Sequence, residues 1–183
     1  VKIIGLSGLA GVGKDTVADF LVGTVENGDN MFVQRYALAD PLKKCASEAF
    51  GIPLKDFYNE TAKEVTNNHW GLTPRYILQI LGTEGFREHF GSDIWTRRAD
   101  MVISQSVTDV FLVTDIRFNN EASWIKDIGG ELVSITSPAM ELSKKHEHSS
   151  ERGISVTPDV VIVNDGTLED LERKVYDEIG RHL

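Results

Sequence analysis

The segment Gly8-Leu9-Ala10-Gly11-Val12-Gly13-Lys14 leaves this chain few folds to adopt. It follows an apolar run at 2–7 and precedes Val17, Phe20, Leu21 and Val25, which recur at helical spacing. A turn of the form G-x-x-x-x-G-K between a buried strand and a helix lets backbone N–H groups turn inward around phosphate oxygens. The helix N-terminus adds partial positive charge. Lys14 supplies a mobile point charge for the outer phosphates. Gly8, Ala10, Gly11, Val12, Gly13 and Lys14 are therefore candidate nucleotide-binding positions. The competing reading is an ordinary glycine-rich turn with a surface lysine.

The residue after Lys14 departs from the common pattern, in which Ser or Thr binds magnesium. Here it is Asp15, followed by Thr16. Asp15 either caps the helix, where negative charge is favoured, or holds magnesium-bound water. Thr16 can offer its hydroxyl and amide to an α- or β-phosphate.

Strand-like and helix-like runs alternate along the rest of the chain. Asn27-Gly28-Asp29-Asn30 reads as a loop. A second strand is expected over 31–37 and a helix over 40–50. The middle, about 52–108, reads as mostly helical, with Thr73-Pro74 a helix start and Ile77, Leu78 and Leu81 its apolar face. Further strands are expected over 110–114, 131–136 and 159–163. The first of these is an unbroken apolar run, which suits a central parallel strand covered on both faces. Helices are expected over 121–128 and again after Asn164-Asp165-Gly166-Thr167, where Thr167 and Asp170 fit a capping box. The alternation predicts an α/β fold: a parallel sheet with helices on both faces, built as one domain over 1–183. Ligands of such sheets bind beyond the carboxyl ends of the strands.

Composition narrows the function. The 183 residues hold 19 Lys plus Arg and 28 Asp plus Glu, for a net charge of −9. Residues 1–91 carry 9 basic and 11 acidic side chains; residues 92–183 carry 10 and 17. That balance argues against stable nucleic-acid binding, which needs a basic footprint. The longest apolar runs, such as 110–113 and 160–163, are too short for a membrane span. Cys45 is the single cysteine, so an internal disulfide or Cys-rich zinc site is excluded. With no signal-peptide pattern in the first residues, the expectation is a cytoplasmic protein, monomeric or homodimeric.

Several segments together point to a family. They are Gly-Lys-Asp-Thr-Val-Ala-Asp (13–19), Tyr-Ala-Leu-Ala-Asp-Pro-Leu-Lys (36–43) and Leu-Gln-Ile-Leu-Gly-Thr-Glu-Gly-Phe-Arg (78–87), with Thr-Asp-Ile-Arg-Phe-Asn-Asn-Glu (114–121) and Val-Asn-Asp-Gly-Thr (163–167). With them the chain resembles the phage-type deoxynucleoside monophosphate kinases. The resemblance implies a P-loop kinase fold with a helical acceptor-binding insertion (about 40–108) and a lid (about 138–157). It implies the reaction ATP + dNMP → ADP + dNDP with Mg²⁺, in host cytoplasm if phage-encoded. The alternatives are a P-loop kinase for a hydroxyl acceptor, such as dephospho-coenzyme A or a shikimate-like alcohol, and a nucleotide-dependent switch or binding protein.

Phosphoryl transfer is mainly positioning and charge stabilisation, so the cations matter first. Asp115 follows the 110–114 strand, where it can reach magnesium or its waters, and Arg117 can reach the transferring phosphate; a surface ion pair is the plainer reading. Arg75 and Gln79 share a helix face and could clamp the acceptor phosphate and read a base edge, or be solvated polar residues. Asp40 and Lys43 lie near the expected acceptor pocket. Trp95, Trp70 and Phe86 either stack on a base or line the core. In the 138–157 segment Lys144, Lys145 and above all Arg152 could close over the nucleotide, while His146 and His148 lack the partners of a metal site. Asn164 and Gly166 border the adenine ring by resemblance. Lys14, Arg75, Arg117 and Arg152 are expected on one side of the sheet. The acids Glu169, Asp170, Glu172, Asp177 and Glu178 are expected away from them.

Overall fold

The apolar runs pair as one five-stranded, all-parallel sheet in the computed structural model, which describes residues 1–28, 31–141 and 154–183. The chain divides into two compact units, Val1–Ala37 with Asp100–Leu183, and Leu38–Ala99. The second lies within the 40–108 segment expected to be an insertion, apart from its first residues.

The first unit holds β1 (Lys2–Ser7), α1 (Lys14–Gly28), β2 (Val33–Tyr36), β3 (Val110–Ile116), α7 (Asn119–Asp127), β4 (Glu131–Thr136), α8 (Pro138–Glu141), β5 (Val160–Val163) and α9 (Leu168–Glu178). The second holds α2 (Asp40–Phe50), α3 (Leu54–Tyr58), a 3₁₀ turn at Ala62–Glu64, α4 (Pro74–Gln79), a π-helix at Ile80–Arg87 and α5 (Glu88–Phe90). The boundary falls inside α6 (Ile94–Ile103). Among the described residues no helix is long and apolar enough to cross a membrane.

Strand order is β2-β3-β1-β4-β5. The period of two in the strands sorts side chains between the faces. Ile4 and Leu6, with Val110, Leu112, Val133 and Ile135, pack with Val17, Ala18 and Leu21 of α1, Leu171 and Val175 of α9, and Ile179 just after it. Gly5 points the other way, to Ile125 of α7, whose Cγ1 would lie 2.7 Å from a Cβ at that position. Helices thus cover both faces, and central β3 is buried over nearly its whole length. The order reverses beside β1: the chain leaves it toward β2 and β3, then passes it to reach β4. That reversal marks the ligand end of an open α/β sheet.

Pairing of β1 with β3 is not uniform. Gly5 pairs with Val113 but Ser7 with Ile116, so β3 carries one extra residue across from Leu6. This bulge falls at Thr114 and Asp115, and bulges re-aim side chains.

Two helix starts in this unit are fixed by acids. Glu121 is 2% exposed, and its Oε2 accepts from the backbone N–H groups of Arg117 (2.8 Å) and Phe118 (3.0 Å). Thr167 and Asp170 form the capping box that their spacing predicts. In the second unit Ala46, Ile52, Phe57 and Ile77 form one core cluster. There Thr73 caps α4 by accepting from Tyr76 N–H at 3.1 Å, ahead of Pro74.

Asp159 ties three elements of the first unit. Its carboxylate accepts from Lys126 Nζ of α7 (2.8 Å) and from Leu132 N–H of β4 (2.9 Å), just before β5. The Lys126 bond, then the Leu132 N–H, hold its carboxyl below the usual carboxylate range. A depressed folded pKa stabilises above the unfolded value and loses that stabilisation as pH falls through the folded value. The pair is partly exposed, so its worth is about 1 kcal/mol. Asp159→Ala is expected to melt below wild type at pH 7, with the gap closing in melts run at pH values below the usual carboxylate range, as pH falls through the lowered folded pKa.

Candidate active site

Three segments of the first unit leave the sheet at its carboxyl edge. Ser7 of β1 pairs with Ile116 of β3 and Ser134 of β4. Gly8 and Arg117 therefore leave neighbouring strands at the same level. Thr136 pairs with Val163, and the backbone N–H of Asn164 donates to Thr136 O at 2.8 Å.

Glycine sets the turn of loop 8–14. Gly8 has φ +140°, and a Cβ there would lie 2.3 Å from the carbonyl oxygen of Ile135. Gly13 has φ +101°, with Asn164 Nδ2 only 2.8 Å from where its Cβ would stand. Between them Val12 is buried in the core under α1 and α9, and Leu9 packs against the same core, which anchors the loop. Lys14 Nζ donates to the carbonyl oxygens of Gly8 and Leu9, each at 2.8 Å. The ammonium thus sits against the loop's own backbone, where an incoming phosphate would compete for it.

Asp15 lies in the first turn of α1 with its side chain 87% exposed. Arg35 of β2 stands 3.7 Å from it and also pairs with Asp19. Asp15 thus stands at the helix N-terminus with Arg35 beside it. Thr16 follows it, half-buried. Sequence reasoning passed over Arg35, because a strand arginine shows its helix partners only once β2 and α1 are folded.

Asp115 sits half-buried on the β3 bulge. No described residue pairs with the Arg117 guanidinium, and its backbone N–H is fixed by Glu121. The late turn is braced as well. Lys174 Nζ donates to Val163 O (2.8 Å) and Asp165 Oδ1 (2.6 Å), and the Lys174 bond holds the Asp165 carboxyl below its usual range. Asn164 Nδ2 donates to Val12 O at 3.0 Å. Gly166 is exposed in the same turn.

The second unit gathers two polar groups. Lys43 Nζ lies 3.3 Å from Asp40 Oδ1 and 4.0 Å from the centre of the Tyr58 ring, while Tyr58 donates its hydroxyl to Asp40 at 2.8 Å. The sequence singled out Asp40 and Lys43 but not Tyr58, which joins them from α3. Arg75 pairs with Glu64 and, at 3.5 Å, with Glu60; Gln79 follows one turn later, half-buried. The two carboxylates orient the Arg75 guanidinium and also offset its charge.

Trp95 is placed differently from a stacking surface. It is 7% exposed, packs on Phe86 with ring centres 5.1 Å apart, and donates Nε1–H to Gly82 O at 3.4 Å. Gly82 lies in the π-helix, where a Cβ would meet Leu42 Cδ2 at 2.7 Å. The indole is therefore packing in the second unit, because its large apolar face is covered and its one donor is used. The π-helix had no signature in the apolar periodicity; π-turns are found frequently at functional sites. Lys144, Lys145, His146, His148 and Arg152, most of the expected lid, lie outside the described residues.

Comparisons with known proteins bear on the same segments. The deoxynucleotide monophosphate kinase family model matches residues 52–175. It begins beyond loop 8–14, so the loop is an independent indication. A protein of Acanthamoeba polyphaga mimivirus assigned as a deoxynucleotide monophosphate kinase is 30% identical over 189 residues, covering 94% of this chain and 93% of that protein. The deoxynucleoside-5'-monophosphate kinase of Escherichia phage T5 is 25% identical over 236 residues, covering 95% and 94%. The deoxynucleotide monophosphate kinase of Enterobacteria phage T4 is 22% identical over 244 residues, covering 96% and 97%.

The buried indole makes a direct prediction. Trp95→Ala is expected to destabilise by roughly 3–5 kcal/mol in denaturant melts, the range for deleting a buried aromatic. Trp95→Phe, which keeps most of the ring and loses the N–H, is expected to cost about 1 kcal/mol. An unchanged melt for Trp95→Ala would restore the open stacking face.

Proposed function

The chain belongs to the deoxynucleotide monophosphate kinase family, and from that premise we propose that it moves the γ-phosphate of ATP, with magnesium, onto a deoxynucleoside monophosphate. The observation that carries the proposal is the pairing of Ser7 with Ile116, which sends the loop 8–14 and Arg117 out of adjacent strands together.

In the reaction the bond from the γ-phosphorus to the β,γ-bridging oxygen breaks, and its electron pair leaves with ADP. A new bond forms from an oxygen of the acceptor's phosphate to that phosphorus. The acceptor phosphate has a second pKa near 6 and is mostly dianionic at neutral pH, so no general base is needed. Catalysis then reduces to holding both phosphates and spreading the charge.

Each residue proposed for this does one physical task. The amides of Gly8, Ala10, Gly11, Val12, Gly13 and Lys14 take the donor phosphates, and Lys14 exchanges its loop carbonyls for the β- and γ-oxygens. Arg117 spreads charge on the transferring group. Thr16 and Asp115 supply a hydroxyl and a carboxylate, the sparse set of hard oxygens with which magnesium is held beside substrate phosphates. The ion, when bound, neutralises charge on the β- and γ-phosphates. Asp15, turned to Arg35, acts on the helix end and its waters. In the second unit Arg75 binds the acceptor phosphate bidentately, Gln79 reads the base edge, and Asp40 with Lys43 contacts the nucleotide.

Lys14→Ala is expected to abolish dNDP formation while leaving the melt near wild type; normal turnover would sink the assignment. Arg75→Ala is expected to raise KM for the dNMP by roughly tenfold or more, as loss of a charge-assisted clamp does, with KM for ATP little changed. A purely structural Arg75 would instead lower the melting temperature and leave both KM values alone. Coupled ADP release with dCMP, dGMP, dTMP, dAMP and modified dNMPs gives the base specificity.

A further inference from the structure

We infer that Asn164 is a positioning residue of the phosphate loop: its side-chain amide fixes the Val12–Gly13 peptide so that the Gly13 N–H is aimed at the donor phosphates. The inference rests on the reading of loop 8–14 as the ATP site.

The geometry is compact. Asn164 Nδ2 donates to Val12 O at 3.0 Å across 152 residues of sequence. A trans peptide is planar, with its N–H opposed to its C=O. Pinning the Val12 carbonyl toward Asn164 therefore turns the Gly13 N–H away from Asn164. This peptide needs pinning. Gly13 stands at φ +101° and lacks a Cβ, so rotation of the Val12–Gly13 peptide meets little of the steric resistance that other residues impose. A rotated peptide would present a carbonyl where the loop needs a donor, and repel phosphate.

Asn164 is itself held. Its N–H is bonded to Thr136 O at 2.8 Å, and Lys174 fixes the preceding carbonyl, Val163 O, at 2.8 Å. The amide thus reaches the loop from a strand end braced on both sides, and Gly13 fits closely against it, with room of only 2.8 Å for a Cβ. The role belongs to the side chain, separate from any contact of this turn's backbone with adenine.

Three variants test it: Asn164→Ala, Asn164→Asp and, as a control on the site itself, Lys14→Ala. Asp matches Asn in shape but, ionised, cannot donate to a carbonyl. A donating role predicts that Asn164→Asp is at least as damaging as Asn164→Ala. Each is expected to raise KM for ATP by roughly five- to tenfold, the scale of one lost hydrogen bond, with KM for the dNMP within about twofold and melts close to wild type. A space-filling role predicts that Asn164→Asp behaves as wild type, and that result overturns the inference. Wild-type KM for ATP in both variants also overturns it, as does a common rise in both KM values with a lowered melt. If Lys14→Ala stays active, the ATP-site reading falls instead; if Lys14→Ala is dead while both Asn164 variants are normal, only the Asn164 inference falls.

Discussion

Strand β1 is hydrogen-bonded on both sides, to β3 and to β4, and this double pairing sets where the proposed site stands. A strand with no open edge has only its ends to offer. Its residues alternate between two helix-covered faces, so the chain emerges at the carboxyl end with nothing left to bury. The glycine loop stands there, closed by the Ile135 carbonyl against Gly8 and by Asn164 against Gly13. Parallel registration then delivers Asp115 and Arg117 beside it. One residue of slip in β3 would move both away and turn its apolar residues to the wrong faces. The bulge at Thr114 and Asp115 adds a residue without that cost, because pairing resumes at Ile116.

Charge is handled locally. An excess of acids would oppose a polyanion if the whole field counted, but in the proposed reaction the backbone amides, Lys14 and Arg117 would act at hydrogen-bond distance, inside the screening length of about 8 Å at physiological salt. The acids of α9 are partly occupied at home: Asp170 caps the helix and pairs with Arg173 at 3.0 Å, and Asp177 pairs with Arg181. Lys14 and Arg117 both stand at the carboxyl edge of the sheet in the first unit. Arg75 belongs to the second unit, and Arg152 lies outside the described residues.

The second unit solves a different problem. It has no sheet, so short helices must satisfy their own ends and find a core in few residues. Thr73 and Pro74 start α4, and Trp95 takes the Gly82 carbonyl in the π-helix. Arg75 is held by carboxylates that are 11 and 15 residues away in sequence. Such exposed pairs contribute little stability; their effect is to orient the guanidinium.

The sequence by itself determined the strand–loop–helix order that opens the chain, because apolar runs, glycines and a lysine in that order satisfy one geometry; it placed a loop from Asn27, where α1 in fact runs on through Gly28. It determined the last helix with its Thr167–Asp170 cap, and β4 residue for residue, since periodicity and capping are local. The position of Arg117 just beyond the third strand was legible from the unbroken apolar run before it, while Asp115 falls within that strand. Tertiary structure alone decided the strand order, the bulge that carries Asp115, the turning of Asp15 to Arg35, the burial of Trp95 and the reach of Asn164 to Val12. Each depends on contacts between residues far apart in sequence, and spacing along the chain records only what neighbours within a turn or a strand can do for one another.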